Sequence, residues 1–241
     1  MEQIVSVMRR AIDDYGMIAQ GEKVIVALSG GKDSMLMLAG LKKLSTFHPA
    51  HFSVEAVFVD MGFENIDISG MRAACDEMGV PLHIKKSDLA KIIFEIRKES
   101  NPCSLCARMR RAMLHDTAKE LGSHTIALGH HKDDVIDTFL LNLFYESRIG
   151  CFQPVTYLSR KEVYVIRPMI YLSEQTIKAK VQSMGLPVLK SPCPMDKKTK
   201  REEIKDVIAS LERQYPHIRE GLFGAVKRSE LEGWSKKQSA V

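Results

Sequence analysis

Three short stretches hold residue types that could do chemistry together. Ser29-Gly30-Gly31-Lys32-Asp33-Ser34 packs two glycines, a lysine, an aspartate and two hydroxyls into one turn. Glycines let a backbone close on a phosphate, and Lys32 adds positive charge. Gly129-His130-His131-Lys132-Asp133-Asp134 gathers two imidazoles and two carboxylates. That set suits a metal, or simply an acidic helix start. Cys103-Ser104-Leu105-Cys106 spaces two thiols three apart, which puts both on one helix face. A helix N-terminus with Arg108, Arg110 and Arg111 nearby favours thiolates. Cys193, between Pro192 and Pro194, is the other cysteine in an open setting; Cys75 and Cys151 read as ordinary thiols. Three cysteines suit a [4Fe–4S] cluster with one iron not bound by cysteine. Zinc would want a fourth ligand. Cluster, zinc and redox thiols all remain open on spacing alone.

The elements around these stretches explain how they would be positioned. Lys23–Leu28 is a short β-branched run, read as a buried strand, and the glycine turn leads from it into a helix over Asp33–Leu44. That makes the turn an anion site at a helix start, after the first strand of an α/β sheet. A preceding helix covers residues 2–18. Val54–Val59 and Leu82–Lys85 read as strands, and Ile68–Met78 and Leu89–Lys98 as helices. Ser104–Leu121 is a long helix, Thr125–Leu128 a strand, and Asp133–Tyr145 a helix. Alternation of this kind implies a parallel, doubly wound α/β sheet. Beyond Glu146 the rhythm loosens. Tyr164–Ile166 reads as a strand end and Ser173–Met184 as a well-capped helix. Leu189–Asp196 is a loop, Lys200–Gln214 a charged amphipathic helix, and one more helix is expected after Pro216. Residues 1–185 are expected to form the main domain. Residues 186–241 would be a helical extension carrying Cys193 and packed on it.

Composition sets the outer bounds. The chain has 241 residues, 45% hydrophobic and 27% charged, as ordinary globular proteins do. No apolar run reaches membrane-spanning length, and the N-terminus lacks the form of a signal peptide. Five cysteines without such a signal argue against a disulfide framework. A cytoplasmic protein with no membrane partner is expected. The net charge of +5 permits a polyanionic partner. A modest basic run, Lys190 to Lys205, could contact phosphates or be a solvated helix face.

The Rossmann glycine pattern is absent, and Asp33 after Gly31-Lys32 breaks the Walker A pattern. Ser-Gly-Gly-Lys-Asp-Ser instead resembles the loop of the N-type ATP pyrophosphatases, the PP-loop superfamily, which cleave ATP between the α and β phosphates. Taken with Pro102–Arg111, Ile126–Asp134, Asn142–Tyr145 and Val165–Pro168, the chain resembles the TtcA family of tRNA 2-thiocytidine synthetases from about Val24 to about Ile208. The resemblance implies a sheet of the adenine nucleotide alpha hydrolase type. It implies ATP and Mg²⁺ on Ser29, Gly30, Gly31, Lys32, Asp33 and Ser34, with Gly129 and His130 beside the nucleotide and adenosine near Val59 and Asp60. It implies a [4Fe–4S] cluster on Cys103, Cys106 and Cys193. Where relatives often carry a second C-x-x-C, this chain has Asp196 at the fourth position, a possible extra ligand.

The implied reaction adenylates the C2 oxygen of cytidine 32 in a tRNA anticodon loop and replaces it with sulfur. Lys32, Asp33, Asp134 and Arg110 are the residues expected at the chemistry. The sulfur would come from a persulfide or sulfide donor such as a cysteine desulfurase, and a homodimer is expected. The competing readings are a PP-loop sulfur transferase for another tRNA base or a small molecule, and a non-catalytic nucleotide and Fe–S sensor.

Overall fold

The computed structural model describes residues 1–64, 66–97, 102–190, 192–194 and 200–235. The expected Asp196, Lys197 and Lys198 lie outside the described residues. Six strands form one sheet: β1 (Lys23–Leu28), β2 (Ser53–Asp60), β3 (Leu82–Lys86), β4 (Thr125–Ala127), β5 (Val155–Leu158) and β6 (Val163–Ile166). Their order is β3-β2-β1-β4-β6-β5. Among the described residues, eight α-helices accompany them: α1 (Glu2–Tyr15), α2 (Lys32–Ser45), α3 (Ser69–Glu77), α4 (Pro102–Glu120), α5 (Lys132–Tyr145), α6 (Glu174–Met184), α7 (Lys200–Gln214) and α8 (Ile218–Arg228).

Strand periodicity explains the two helical layers. Along β1, Val24, Val26 and Leu28 point to one face and pack in a core with α1, α2, α5 and α6. Ile25 points to the other face, where it joins Val57, Val59, Leu105, Leu114 and Ile126. Thus α4, the cysteine helix, covers one face, and the phosphate-turn helix α2 covers the other. Both helices begin near the C-terminal end of β1, where ligands bind in open α/β sheets.

Two elements differ from the sequence reading. The sheet is not wholly parallel: β5 pairs antiparallel with β6, Val155 opposite Ile166 and Leu158 opposite Val163. A turn over residues 159–162 joins the two strands directly, and so short a connection can only return the chain antiparallel. The segment after β3 is a π-helical turn, Lys91–Ile96, rather than an α-helix. The capped helix appears as expected: Ser173 Oγ accepts from the Thr176 amide at 3.2 Å, worth about 1 kcal/mol. No described helix is long and apolar enough to cross a membrane.

A candidate active site between the phosphate turn and the cysteine helix

The phosphate turn is built by its own hydroxyls. Ser34 Oγ donates to Gly31 O at 3.0 Å and accepts from the Ser29 amide at 3.1 Å. Ser29 Oγ accepts from the Gly31 amide at 3.2 Å. Ser34 is buried, so its hydroxyl braces the turn. Gly30 needs to be glycine twice over. Its φ is +77°, and a Cβ there would stand 2.4 Å from Leu189 Cδ1. Leu189 is fastened to the same residue, its amide donating to Gly30 O at 2.8 Å. Gly31 caps α2 without a side chain, which leaves the first-turn N–H groups for an anion.

Lys32 Nζ lies 3.1 Å from Asp33 Oδ2 and 3.0 Å from Glu174 Oε1. Burial opposes its charge, but the two carboxylates outweigh it and raise the pKa of the ammonium above its ordinary value. The resting site therefore holds a charged lysine neutralised by α6.

Beyond β4 the second turn approaches the first. A Cβ on Gly129 would sit 3.3 Å from both Asp33 C and Ser34 N, backbone atoms that cannot swing away. We expect Gly129→Ala to push the start of α2 off its position, at a cost of about 1–3 kcal/mol. Calorimetry should show weakened ATP binding, with the thermal midpoint lowered as well.

Asp133 and Asp134 divide the work. Asp133 is buried and ties three helices: Oδ1 accepts from Arg219 at 2.8 Å and Oδ2 from the Glu174 amide at 2.7 Å. Asp134 accepts from the His131 amide at 3.0 Å, and its other oxygen pairs with Arg201 Nη1 at 2.9 Å. His131 Nε2 stands 3.8 Å from Asp33 Oδ1 and 3.4 Å from Asp134 Oδ2, so carboxylates from the two turns converge on one ring. Asp33 Oδ1 is buried without a hydrogen-bond partner among the described residues. His130 packs its ring on Phe152, centroids 5.0 Å apart, and Arg167 lies over the same phenyl at 4.9 Å. Burial, aided by Arg167, pulls the His130 pKa down to about 4 and keeps the ring neutral.

One turn along α5, Asp137 is 1% exposed, and neither carboxylate oxygen has a hydrogen-bond partner among the described residues. Burial pushes its pKa up to about 7, against the pull of Arg201. A folded-state pKa above the unfolded one means stability is present at acid pH and lost as pH rises from about 4 through 7. Asp137→Asn should therefore leave the melting temperature nearly unchanged at pH 4.5 and raise it by roughly 4–8 °C at pH 8. Thermal scans of both proteins at the two pH values check this.

On the opposite face, Cys103, Cys106 and Arg110 follow one stripe of α4. Arg110 Nη2 reaches to 3.5 Å from Leu28 O, and its burial lowers the guanidinium pKa. Arg111 turns back along its own helix to Ala107 O at 3.1 Å. Burial pushes the Cys106 thiol up; Arg110 opposes this, and Cys193 and Cys103 add to it. The charges of Cys103 and Cys193 thus both reach the Cys106 thiol. Among the described residues, no three His, Cys, Asp or Glu side chains stand close enough together to hold an ion as they are.

A cavity of about 940 Å³ joins the two halves, a volume suited to a nucleotide-sized ligand. Ser29, Asp33, Ser34, Gly129, His130 and Asp134 line it, and so do Cys103, Cys106 and Arg110. Arg108, Arg111 and Lys161 give its α4 side a basic lining, and His115 lies among them with its charged form disfavoured by burial. Gly30, Gly31, Lys32 and Cys193 stand outside that lining, as do Val59 and Asp60 at the end of β2. Val59 is buried in the α4-side core.

The sequence reading missed three residues that shape the site. Glu174 reads as a first-turn acid but holds Lys32. Arg201 belongs to the basic run, yet its charge is spent on Asp134; Lys205 likewise pairs with Glu202 at 3.2 Å. Arg219 carried no local signal at all.

Comparison with known proteins identifies the family. A family model described as a PP-loop domain matches residues 2–211. The chain is 37% identical over 220 residues to a tRNA-cytidine(32) 2-sulfurtransferase of Syntrophotalea carbinolica, covering 90% of this chain and 85% of the relative. A protein of the same description from Dichelobacter nodosus is 37% identical over 222 residues, covering 91% and 83%. Among solved structures, the U34-tRNA thiolase NcsA from Methanococcus maripaludis, with its [4Fe–4S] cluster, superposes with a TM-score of 0.74. It is 25% identical and the match covers 92% of this chain and 77% of that one. The chain belongs to the tRNA-cytidine(32) 2-sulfurtransferases of the PP-loop family.

Proposed function

We propose that this protein is an ATP-dependent tRNA sulfurtransferase that converts a cytidine to 2-thiocytidine at position 32 of the anticodon loop. The observation that carries the reading is the single cavity lined by the phosphate turn on one side and by Cys103 and Cys106 on the other. Activation and sulfur delivery need such adjacency, because an adenylated base must meet sulfur before water.

By donor chemistry, the residues suit both groups the reaction calls for. Asp33 and Asp134 supply hard carboxylate oxygens, one of them buried and unpartnered, as Mg²⁺ requires. Cys103, Cys106 and Cys193 supply soft sulfur donors, with a buried arginine beside Cys106. They would hold a [4Fe–4S] cluster, whose iron without a cysteine ligand can carry exogenous sulfide to the base. The donor of that sulfide is free sulfide, or a persulfide such as that of a cysteine desulfurase, whose outer sulfur two thiol reductants release as sulfide while they oxidise to a disulfide.

The chain itself binds and orients. The turn Ser29–Ser34 takes the phosphates, with adenosine beside Val59 and Asp60. The base O2 attacks the α-phosphorus, and the bond to the β-phosphate oxygen breaks to release pyrophosphate. Lys32 exchanges Glu174 for the phosphate oxygens that gain charge in that step. Arg110 faces the adenylate from α4. Replacement of the adenylated oxygen by sulfide forms the C2–S bond and releases AMP. Arg108, Arg111 and Lys161 meet the tRNA backbone. The protein acts in the cytoplasm, as a homodimer.

Mass spectrometry of tRNA nucleosides from the source organism, with and without the gene, tests the reading. Selective loss of 2-thiocytidine is expected. An unchanged 2-thiocytidine level together with loss of a 2-thiouridine would overturn the choice of base. The resemblance to a U34-tRNA thiolase makes that the alternative to watch. Purified protein should also release AMP from ATP only when tRNA is present.

A further inference from the structure

Both oxygens of Asp134 are engaged in the nucleotide-free protein, so a metal–nucleotide there would compete with its present partner. Its Oδ1 pairs with Arg201 Nη1 at 2.9 Å, and Arg201 Nη2 lies 3.4 Å from Thr138 Oγ1. The guanidinium thus spans α5 from position 134 to position 138. Between them on the same helix, three residues past Asp134, sits Asp137, buried with both carboxylate oxygens unpartnered among the described residues. Side chains three apart on a helix have Cβ atoms roughly 5–6 Å apart, within the sweep of one arginine. The charges around Asp137 are Arg201 and Lys205 of α7 and Asp133 and Asp134 of its own helix. Asp133 is already engaged by Arg219, and Lys205 pairs with Glu202. Arg201, 37% exposed, keeps room to turn.

We propose that Arg201 is a positioning residue with two partners. It neutralises Asp134 in the nucleotide-free protein and passes to Asp137 when Asp134 turns to the metal-bound nucleotide. Two needs are met by one movement. The released guanidinium finds a carboxylate, and the buried carboxylate gains a cation and hydrogen-bond donors. The exchange also links the state of the nucleotide site to the first turn of α7, the helix that follows Cys193 in the chain. This inference rests on the ATP-binding reading of the phosphate turn.

The test is a double-mutant cycle on nucleotide binding, independent of turnover. Full-length protein purified under anaerobic conditions is titrated with α,β-methylene-ATP in a calorimeter, with Mg²⁺ and with EDTA. Asp137→Asn should weaken binding roughly tenfold with Mg²⁺ and leave the EDTA value unchanged. Arg201→Gln should bind at least as tightly as wild type with Mg²⁺, because the competitor for Asp134 is gone. Asp137→Asn added to Arg201→Gln should have no further effect. Additive losses, or equal losses with and without Mg²⁺, would overturn the exchange, and so would weaker Mg²⁺-dependent binding in Arg201→Gln. That last variant is at a half-exposed position, so it reports even where Asp137→Asn does not fold. Wild-type protein that binds no nucleotide at all would instead sink the ATP reading itself.

Discussion

Cys103→Ala should remove sulfur insertion while leaving ATP binding at the phosphate turn intact. Cys103 is exposed on the cavity side of α4, a separate element from the turn that holds the phosphates. Its loss opens no packed core. Yet it is one of the three thiols proposed to hold the cluster, and a metal centre with too few sulfur donors is not retained. Outer-shell partners of metal ligands cost about 10–100-fold when lost, so a direct ligand should cost at least about 100-fold. The measurement is 2-thiocytidine formed per minute, set beside the Kd for ATP and the iron content of the anaerobic protein. Iron and thiolation should fall together while the Kd holds. Equal loss of ATP binding would mean that Cys103 supports the turn, and the division of labour across the cavity would be wrong.

Lys32→Ala should cost about 10²–10³ in turnover, as removal of one donor to a developing oxyanion does. The resting structure predicts how that loss will partition. Lys32 is held by Asp33 and Glu174, so its ammonium is already paired before ATP arrives. Taking it away leaves two carboxylates facing incoming phosphates without a cation. Ground-state affinity should therefore fall as well, and ATP concentration alone should not restore the rate. Glu174→Gln is the informative companion. It frees Lys32 without removing it, so it should lower the KM for ATP or leave it unchanged. If Lys32→Ala raises only KM, the lysine binds the ground state and the transition state alike.

The parts of this molecule legible in its sequence are those in which structure is decided locally. A β-branched run followed by Ser-Gly-Gly is a strand and a turn whatever surrounds it, and β1 and α2 sit where the residues place them. The cysteine helix and the second turn are legible for the same reason. Nine of the expected site residues accordingly line one cavity. The parts that were not legible depend on distant partners. Val155–Leu158 is made of strand formers, but it is short and follows a proline, and nothing local says what it pairs with. Its turn to β6, Ser159-Arg160-Lys161-Glu162, lacks glycine and asparagine, although Glu162 adopts φ +53°. Only the free edge of β6 makes it a strand. Asp133 and Asp134 are chemically identical neighbours, separated only by arginines 86 and 67 residues away. Lys91–Ile96 has the composition of any short amphipathic helix, and a π turn differs from an α turn by less than six residues can reveal.

The bond between Leu189 and Gly30 also bears on the order in which the living cell finishes this protein. The phosphate turn leaves the ribosome early, but the residue that packs against it and fixes its carbonyl is made about 160 residues later. At synthesis rates of roughly 5–20 residues per second, the turn waits on the order of 10–30 s for its final brace. Arg201 and Arg219, which neutralise the two aspartates, come later still. A nascent chain thus carries the whole sheet and the phosphate motif while its nucleotide site is still unfinished.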